Sequence, residues 1–519
     1  MKGLKIALLV LLILLLLVLS AVLYLMLSGQ MELLRGILPD ALIPRPDLPA
    51  PETLAKPAVS AGTPEQERLD RLYAQVWAAA PAGEIVYEDG CALQPVTLTM
   101  LDGEALAGAG MRVELIARLM DQVALAGRAE EIYEENWQFH PELLRDCYEQ
   151  LLAERMAQPE RFLTRRELTL RFTYADGVWT LQNGEELYPL WPEAEALYAA
   201  ATEELPYLPL HYTIAEDALW GCVPDESKFI YTEDPAVVAA LLERPEAKAL
   251  IGDQELVWNP ELPFVRDTLI RCYLDESILC IVWQEPEIGC LATFSEIFIA
   301  DGSQLRRKIS SDKPWSYWFE QTTGFARDTN AVLAFGGDFY YHGRDCGVSV
   351  YQREMIRFHP YNADTCFITA DGDLRFLYMG TEISEEEMQQ YLLDNDVVFS
   401  LAFGPVMIDE GVDVLPENYL WGEVNDYYAR SALGLMGRHH YLTMNINCDP
   451  RRPELDHLPN LRDAADAMLK RGCWKAYTLD GGRTATTVFH YELINPVQYG
   501  KEIPISDIIY FASAVPGEP

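Results

Sequence analysis

The polarity pattern is sharpest at the start of the chain, where Lys2 and Lys5 precede an almost unbroken apolar run over residues 6–27. A helix needs about 20 apolar residues to cross a bilayer. Positive charge before the run predicts an uncleaved signal anchor over 1–30, with the N-terminus cytoplasmic and the rest exported. A cleaved signal peptide has a shorter apolar stretch, ~7–15 residues, and a small-x-small cleavage site. Leu25-Met26-Leu27-Ser28-Gly29-Gln30 offers no such site. Residues 31–62 carry Pro39, Pro44, Pro46, Pro49, Pro51 and Pro57, which predicts a semi-extended stalk. Over 64–80 the apolar positions Leu69, Leu72, Tyr73, Val76 and Trp77 repeat at helical spacing. Residues 96–100 alternate as a strand does, and 111–156 read as two or three amphipathic helices. Residues 167–174, the turn Asp176-Gly177 and residues 178–181 predict a hairpin. The stretch 63–200 therefore reads as a small α+β module, and 201–262, rich in Pro and Trp, as a connector.

From 263 onward the pattern changes to short apolar, β-rich runs: 269–274, 279–283, 295–300, 331–335, 397–403, 441–446, 476–479 and 508–511. Helical periodicity appears between some of them, chiefly at 460–471. Without regular strand–helix alternation, this predicts a mixed-sheet α/β domain over 263–515. The whole chain is expected to be α+β, with a transmembrane helix in front.

Composition narrows the partners. Eighty acids against 40 bases give a formal charge of −40. A nucleic-acid binder needs a basic footprint, so that class is excluded. The charge also disfavours contact between the body and an anionic membrane face. Ten cysteines lie in the part expected to be exported. In an oxidising space some would pair, and otherwise they serve as small buried hydrophobes. No Cys/His spacing suits zinc, and no EF-hand loop is present, so neither a metal nor a cofactor is expected.

Four segments carry candidate chemistry. The first, residues 330–341, reads as a buried strand running into Gly336-Gly337-Asp338, with aromatics and His342 beyond. Glycines at a strand end let a ligand approach the backbone. The second is Phe403-Gly404-Pro405, a rigid corner after a strand. In the third, Ala429-Arg430-Ser431, a single guanidinium sits among small residues. Its rigid donor fork matches phosphate or carboxylate. The fourth is Leu479-Asp480-Gly481-Gly482-Arg483-Thr484, where an acid adjoins backbone N–H groups unshielded by side chains.

In this order the segments resemble the phosphodiester glycosidase family, that of the mannose 6-phosphate uncovering enzyme. The matching stretches are 334–340, 403–405, 428–434 and 478–484, flanked by 299–306 and 505–511, and the likeness covers roughly 265–512. The resemblance implies hydrolysis of a sugar-1-phosphodiester at the glycosidic bond by a membrane-anchored, exported hydrolase whose partner is a glycan or sugar phosphate. It implies Asp480 and Asp338 as the catalytic carboxylates, with Asp480 favoured as base or nucleophile, and Arg430 on the phosphate. Gly336, Gly337, Gly481, Gly482, Arg483, Thr484, Thr487 and His342 are then the substrate-binding residues. The chain departs from the family pattern at four places. Gly336 stands for Asn, Tyr428-Ala429 for Asn-Pro, Thr478 for Asn, and Arg483 for a third Gly. These departures motivate the alternative of a catalytically degenerate glycan-binding or envelope-assembly protein on the same fold.

Overall fold

A computed structural model describes residues 2–27 and 47–516, apart from 89, 127, 135, 189–190, 216–217, 266, 339, 342–344 and 498–499. For residues 2–10, 25–27 and 421 it describes the backbone alone. His342 and most of the expected stalk lie outside the described residues. The chain divides into two compact units, residues 1–119 with 141–205, and residues 120–140 with 206–519.

In the first unit a helix of 26 residues spans Lys2–Leu27. Among the described residues no helix is long and apolar enough to cross a membrane. The apolar side chains from Leu11 to Leu19 are 48–67% exposed.

The module behind it is an antiparallel sheet centred on Cys91–Leu101, which pairs with Ala78–Pro81 on one side and Leu163–Ala175 on the other. The expected hairpin forms, with Ala175 opposite Val178 and both Asp176 and Gly177 at positive φ. The first helix is shorter than the 64–80 periodicity suggests. It covers Pro64–Val76, and Trp77 turns extended while its N–H closes on the Tyr73 carbonyl. Ala78–Pro81 then joins the sheet, so strand pairing overrides helical spacing there.

The second unit holds the site. Its strands that matter below are β1 (Leu305–Ile309), β2 (Ala331–Gly336), β3 (Arg430–Gly437), β4 (Lys475–Leu479), β5 (Thr487–Phe489) and β6 (Asp507–Ala512). A five-stranded sheet runs in the order β1, β6, β2, β5 and Glu492–Leu493. A nine-stranded sheet contains β4 and β3 side by side, continues through His440–Asn447, Cys290–Ile299, Ile278–Glu287 and Ile270–Leu274, and ends at Phe229–Thr232. The two sheets face each other over a core that includes Leu333, Phe335, Ile509 and Phe511 from one and Ile297, Leu433, Tyr441 and Leu479 from the other. The outer face of the nine-stranded sheet is covered by the helices Pro235–Leu242, Pro245–Ile251 and Leu461–Lys470, through Val238, Leu241, Ala247, Ala464, Ala465 and Met468. Burial on both faces explains why these strands read as continuous apolar runs rather than alternating ones.

Two expectations change. Every pairing among the described strands is antiparallel, so the mixed sheet gives way to antiparallel sheets joined by hairpins and loops. The stretch 201–262, read as a connector, supplies the edge strand Phe229–Thr232 and two of the covering helices. None of the ten cysteines forms a disulfide. Cys272, Cys290 and Cys473 pack in the helix-side core, and Cys280 and Cys366 between the sheets. Burial raises all five thiols, keeping them protonated and inert.

Candidate active site

The site forms where β2, β4 and β6 end together. Beyond β2, the N–H of Gly337 donates to the Asp507 carbonyl at 3.2 Å, and the Gly337 carbonyl accepts from the Asp480 N–H at 3.2 Å. One residue thus ties the exit of β4 to the start of β6. A Cβ on Gly337 would stand 2.2 Å from an Asp507 carboxylate oxygen, and one on Gly336 would stand 2.2 Å from the Thr484 carbonyl. No real side chain tolerates such approaches, so in this chain position 336 has no room for an Asn.

These ends enclose a cavity of about 210 Å³ walled by Asp338, Asp480 and Asp507, with Gly337, Thr484, Ser506 and Phe319 beside them. Larger hollows exist, such as one of about 570 Å³ beside Arg451 and Arg452, but they hold none of the candidate carboxylates. Arg307, on β1, lies beneath two of the three acids. Its Nε donates to Asp507 Oδ2 at 2.9 Å, its Nη2 to Asp338 Oδ1 at 2.9 Å, and its Nη1 to the Ser400 carbonyl. Asp338 Oδ2 accepts from the Ala402 N–H at 2.7 Å, so both of its oxygens are held. A buried charge must be paired. Burial works against the Arg307 charge, but Asp338 and Asp507 more than offset it and its pKa rises. One guanidinium shared by two acids leaves the trio one negative charge in excess when both are ionised. Accordingly burial pushes Asp507 up, more than Arg307 pulls it down, and Asp338 adds to the rise.

Asp480 differs from both. It forms no ion pair among the described residues, and it is partly open to the cavity. Burial is the main influence on its carboxyl, which is pushed up to about 7. The Thr484 hydroxyl and the Gly481 N–H pull the value down, while the negative charges of Glu423 and Asp338 push it further up. A carboxyl that exchanges its proton near neutrality is suited to general acid–base work.

Arg430 takes a different place from the expected one. β3 and β4 pair with Ser431 opposite Leu479, and continuing that register sets Arg430 opposite Asp480. The guanidinium nevertheless turns aside. Nη1 donates to Glu423 Oε2 at 2.8 Å, Nη2 donates to the Asp426 carbonyl, and the Tyr428 ring lies 3.5 Å from Cζ. Arg430 is 1% exposed and is not part of the cavity wall. Glu423 is itself raised by burial, against the pull of Tyr428 and Arg430.

The glycine turn is also engaged rather than open. The Gly482 N–H donates to the Ala429 carbonyl at 2.7 Å, and the Gly481 N–H goes to the Asp480 carboxylate. The turn therefore fixes Asp480 and is not a ready anion cradle. Thr484 lines the cavity, with its hydroxyl oxygen 2.8 Å from the Gly481 carbonyl. Thr487 does not line it. Its position on β5 buries it, its hydroxyl accepts from Asn445 Nδ2 and its N–H donates to Asn495. Arg483 is exposed on the turn Gly482–Thr484. Asp507, Arg307 and Glu423 were not among the residues expected from the sequence. One signal was present, since Arg306-Arg307-Lys308 sits inside a strand flanked by Leu305 and Ile309. Cations in a buried strand require acids from elsewhere in the fold.

This antiparallel α+β unit thus gathers three carboxylates around a small cavity, two of them on a buried guanidinium. Residues 329–512 match the phosphodiester glycosidase family model. Among solved structures, the zebrafish N-acetylglucosamine-1-phosphodiester alpha-N-acetylglucosaminidase catalytic domain, auto-inhibited by its pro-peptide, is similar at 17% identity and a TM-score of 0.36. That match covers 45% of this chain and 82% of the other. A hypothetical protein from Synechocystis is similar at 11% identity and a TM-score of 0.34, covering 46% and 63%. A putative exported protein from Burkholderia pseudomallei is similar at 11% identity and a TM-score of 0.29, covering 43% and 74%. No curated protein matches.

Proposed function

We propose that this protein hydrolyses a sugar-1-phosphodiester at its glycosidic bond. The observation that carries the reading is the joint presence of Asp338, Asp480 and Asp507 around one cavity, inside the segment that matches the family model. The cavity is smaller than the ~300–1,000 Å³ typical of drug-sized ligands, and it suits a single sugar ring. The phosphate then lies outside the cavity.

In this reading Asp480 removes a proton from water, the water oxygen bonds to the anomeric carbon, and the bond from that carbon to the bridging oxygen breaks, leaving that oxygen on phosphorus. The bonding electrons leave with the phosphate monoester. Such a leaving group needs little protonation, so the demanding part is the positive charge that develops on the sugar. Fixed carboxylates in a cavity sheltered from water stabilise that charge with little reorganisation. Asp338, held on both oxygens, supplies a fixed negative charge of this kind. Arg307 positions Asp338 and Asp507 rather than meeting the phosphate.

The Lys2–Leu27 helix, with its exposed apolar side chains, supports an anchor that holds the remainder outside the membrane. A second reading, glycan binding without turnover, is favoured by one observation: Glu423 and Tyr428 occupy the Arg430 guanidinium. Both are tested by incubating the full chain in detergent with sugar-1-phosphate methyl diesters and measuring free sugar. Turnover by the parent protein and its loss in Asp480→Asn, with unchanged circular dichroism, is the expected result. Equal turnover in Asp480→Asn refutes the role given to Asp480. Sugar binding with no turnover of any diester favours the second reading.

A further inference from the structure

Away from the three carboxylates, the second unit holds a cavity of about 360 Å³ that shares no wall residue with theirs. Its lining is unusual for this chain. Arg306, Arg307 and Arg353 all contribute to it, and among the described residues no acid does. In the whole chain 80 acids stand against 40 bases. The rest of the wall is largely apolar, with Leu219, Leu305, Tyr351, Val398 and Phe399. Small-molecule sites have volumes of ~300–1,000 Å³ and walls of this kind, apolar with a few placed polar groups.

The wall is held together by its own bonds. The Ile214 N–H donates to Ser303 Oγ at 3.0 Å, and the Arg353 N–H to the Val398 carbonyl at 2.8 Å. A Cβ on Gly302 would stand 2.3 Å from the Ala370 carbonyl, so two stretches of the wall touch backbone to backbone. The three arginines differ in what already holds them. Arg307 serves Asp338 and Asp507, and Arg353 pairs with Asp396. Arg306 forms no ion pair among the described residues. Its Nη2 donates to the Ala218 carbonyl at 2.6 Å and its Nη1 to the Ser303 carbonyl at 3.4 Å, and Ala218 and Ser303 are both wall residues. It also bonds the hydroxyl of Tyr510, opposite it on β6. Neutral acceptors thus hold this cation at the cavity, which leaves its charge and part of its donor set for an anion.

We propose that this cavity binds a small organic anion, a phosphate ester or carboxylate whose apolar body is one ring or a short chain. Arg306 takes the charge and the apolar wall takes the body. A charge-assisted hydrogen bond is roughly twice as strong as a neutral one, so an anion gains more from Arg306 than an uncharged hydroxyl does. Burial of the body adds affinity in proportion to its apolar area. The volume admits a ring or short chain and is too small for a two-chain lipid. The site stands whether or not the carboxylates cleave a glycosidic bond. It is nevertheless joined to them through the chain. The strand Val397–Leu401 lends Val398 and Phe399 to the wall, then the Ser400 carbonyl to Arg307 and, just beyond its end, the Ala402 N–H to Asp338.

The test uses the full chain in a non-ionic detergent and isothermal titration with phenyl phosphate, benzoate, phenol and inorganic phosphate. The parent should bind the better of the two organic anions about tenfold tighter than phenol, and about tenfold tighter than inorganic phosphate. Arg306→Gln should bring that anion down to the level of phenol and leave phenol unchanged, while Arg306→Lys keeps part of the margin. Leu219→Ala, at an exposed wall position, should weaken the anion and phenol alike by about threefold. Melting temperatures show whether each variant folds, and if Arg306→Gln does not, the parent and Leu219→Ala titrations decide. A parent that binds phenol as tightly as both organic anions overturns the role of Arg306. Inorganic phosphate bound as tightly as the organic anions overturns the apolar body. A folded Arg306→Gln that keeps the full margin, or a Leu219→Ala that changes neither affinity, places the binding elsewhere and overturns the site. Binding to phosphatidic acid vesicles that is lost in Arg306→Gln, with no binding of phenyl phosphate or benzoate, overturns the small-molecule assignment in favour of a lipid headgroup.

Discussion

Replacing Asp480 by Asn is expected to inactivate the protein and, above neutral pH, to make it more stable. The reason is the direction of the proton shift. Burial raises this carboxyl from 3.8 to about 7. Between those two values the folded state keeps a proton that the unfolded state has lost, so stability falls as pH rises through that window. Above pH 7 the folded protein holds a buried charge that the unfolded chain carries in water. At about 1.4 kcal/mol per unit, a shift of this size corresponds to ~4 kcal/mol, and as an order of magnitude a few kcal/mol is expected. Asparagine has nearly the same shape and no charge, so it escapes this loss. Urea unfolding of both proteins from pH 4 to pH 9 reads the difference directly. The two should coincide near pH 4, diverge between pH 4 and 7 in favour of the Asn variant, and stay apart above pH 7. A difference that does not vary with pH, or a parent protein more stable than the variant at pH 8, refutes the assignment of Asp480 as a buried, proton-exchanging carboxyl.

Other consequences follow from the same geometry. If Asp480 acts as base, kcat/KM rises with pH around a midpoint of about 7. Glu423→Gln removes a negative charge that raises Asp480, so the rising limb of that profile should move to lower pH, by roughly half a unit to one unit. An unmoved limb removes Glu423 from the electrostatics of the site. Arg307→Ala leaves Asp338 and Asp507 buried without their cation and should cost about 3–5 kcal/mol in denaturant unfolding, with a smaller loss for Arg307→Lys. A cost under ~1 kcal/mol would mean that the two acids are already protonated. Gly337→Ala drives a methyl group against Asp507 and should cost about 1–3 kcal/mol and abolish turnover, whereas Gly500→Ala, where a Cβ meets nothing within 4 Å but φ is positive, should retain turnover.

Much of the fold was legible because its strands are buried on both faces. The runs at 331–335, 441–446, 476–479 and 508–511 appear as β2, His440–Asn447, β4 and β6 within a residue or two. Pairing direction was not legible, since a continuous apolar run carries no mark of parallel or antiparallel neighbours. The stretch 201–262 misled because its Pro and Trp density resembles a linker, while its short helices draw their stability from the sheet beneath them. At the site, Asp338 and Asp480 could be read from strand ends followed by glycine. Asp507 could not, because an acid opening a strand is unremarkable until Arg307 appears behind it. The pairing of Arg430 with Glu423 escaped for a related reason. Seven residues separate them, and only the loop geometry before β3 brings the carboxylate onto the guanidinium.

β6 lies between β1 and β2 in the five-stranded sheet, although it is the last of the strands in sequence. A chain emerging from the ribosome therefore makes β1 and β2 well before the strand that joins them exists. Until β6 inserts, the Arg307 guanidinium lacks one of its two acids, and the cavity lacks a wall. The sheet closes only when β6 pairs with both β1 and β2. The cavity is therefore complete only once the last of these strands has paired.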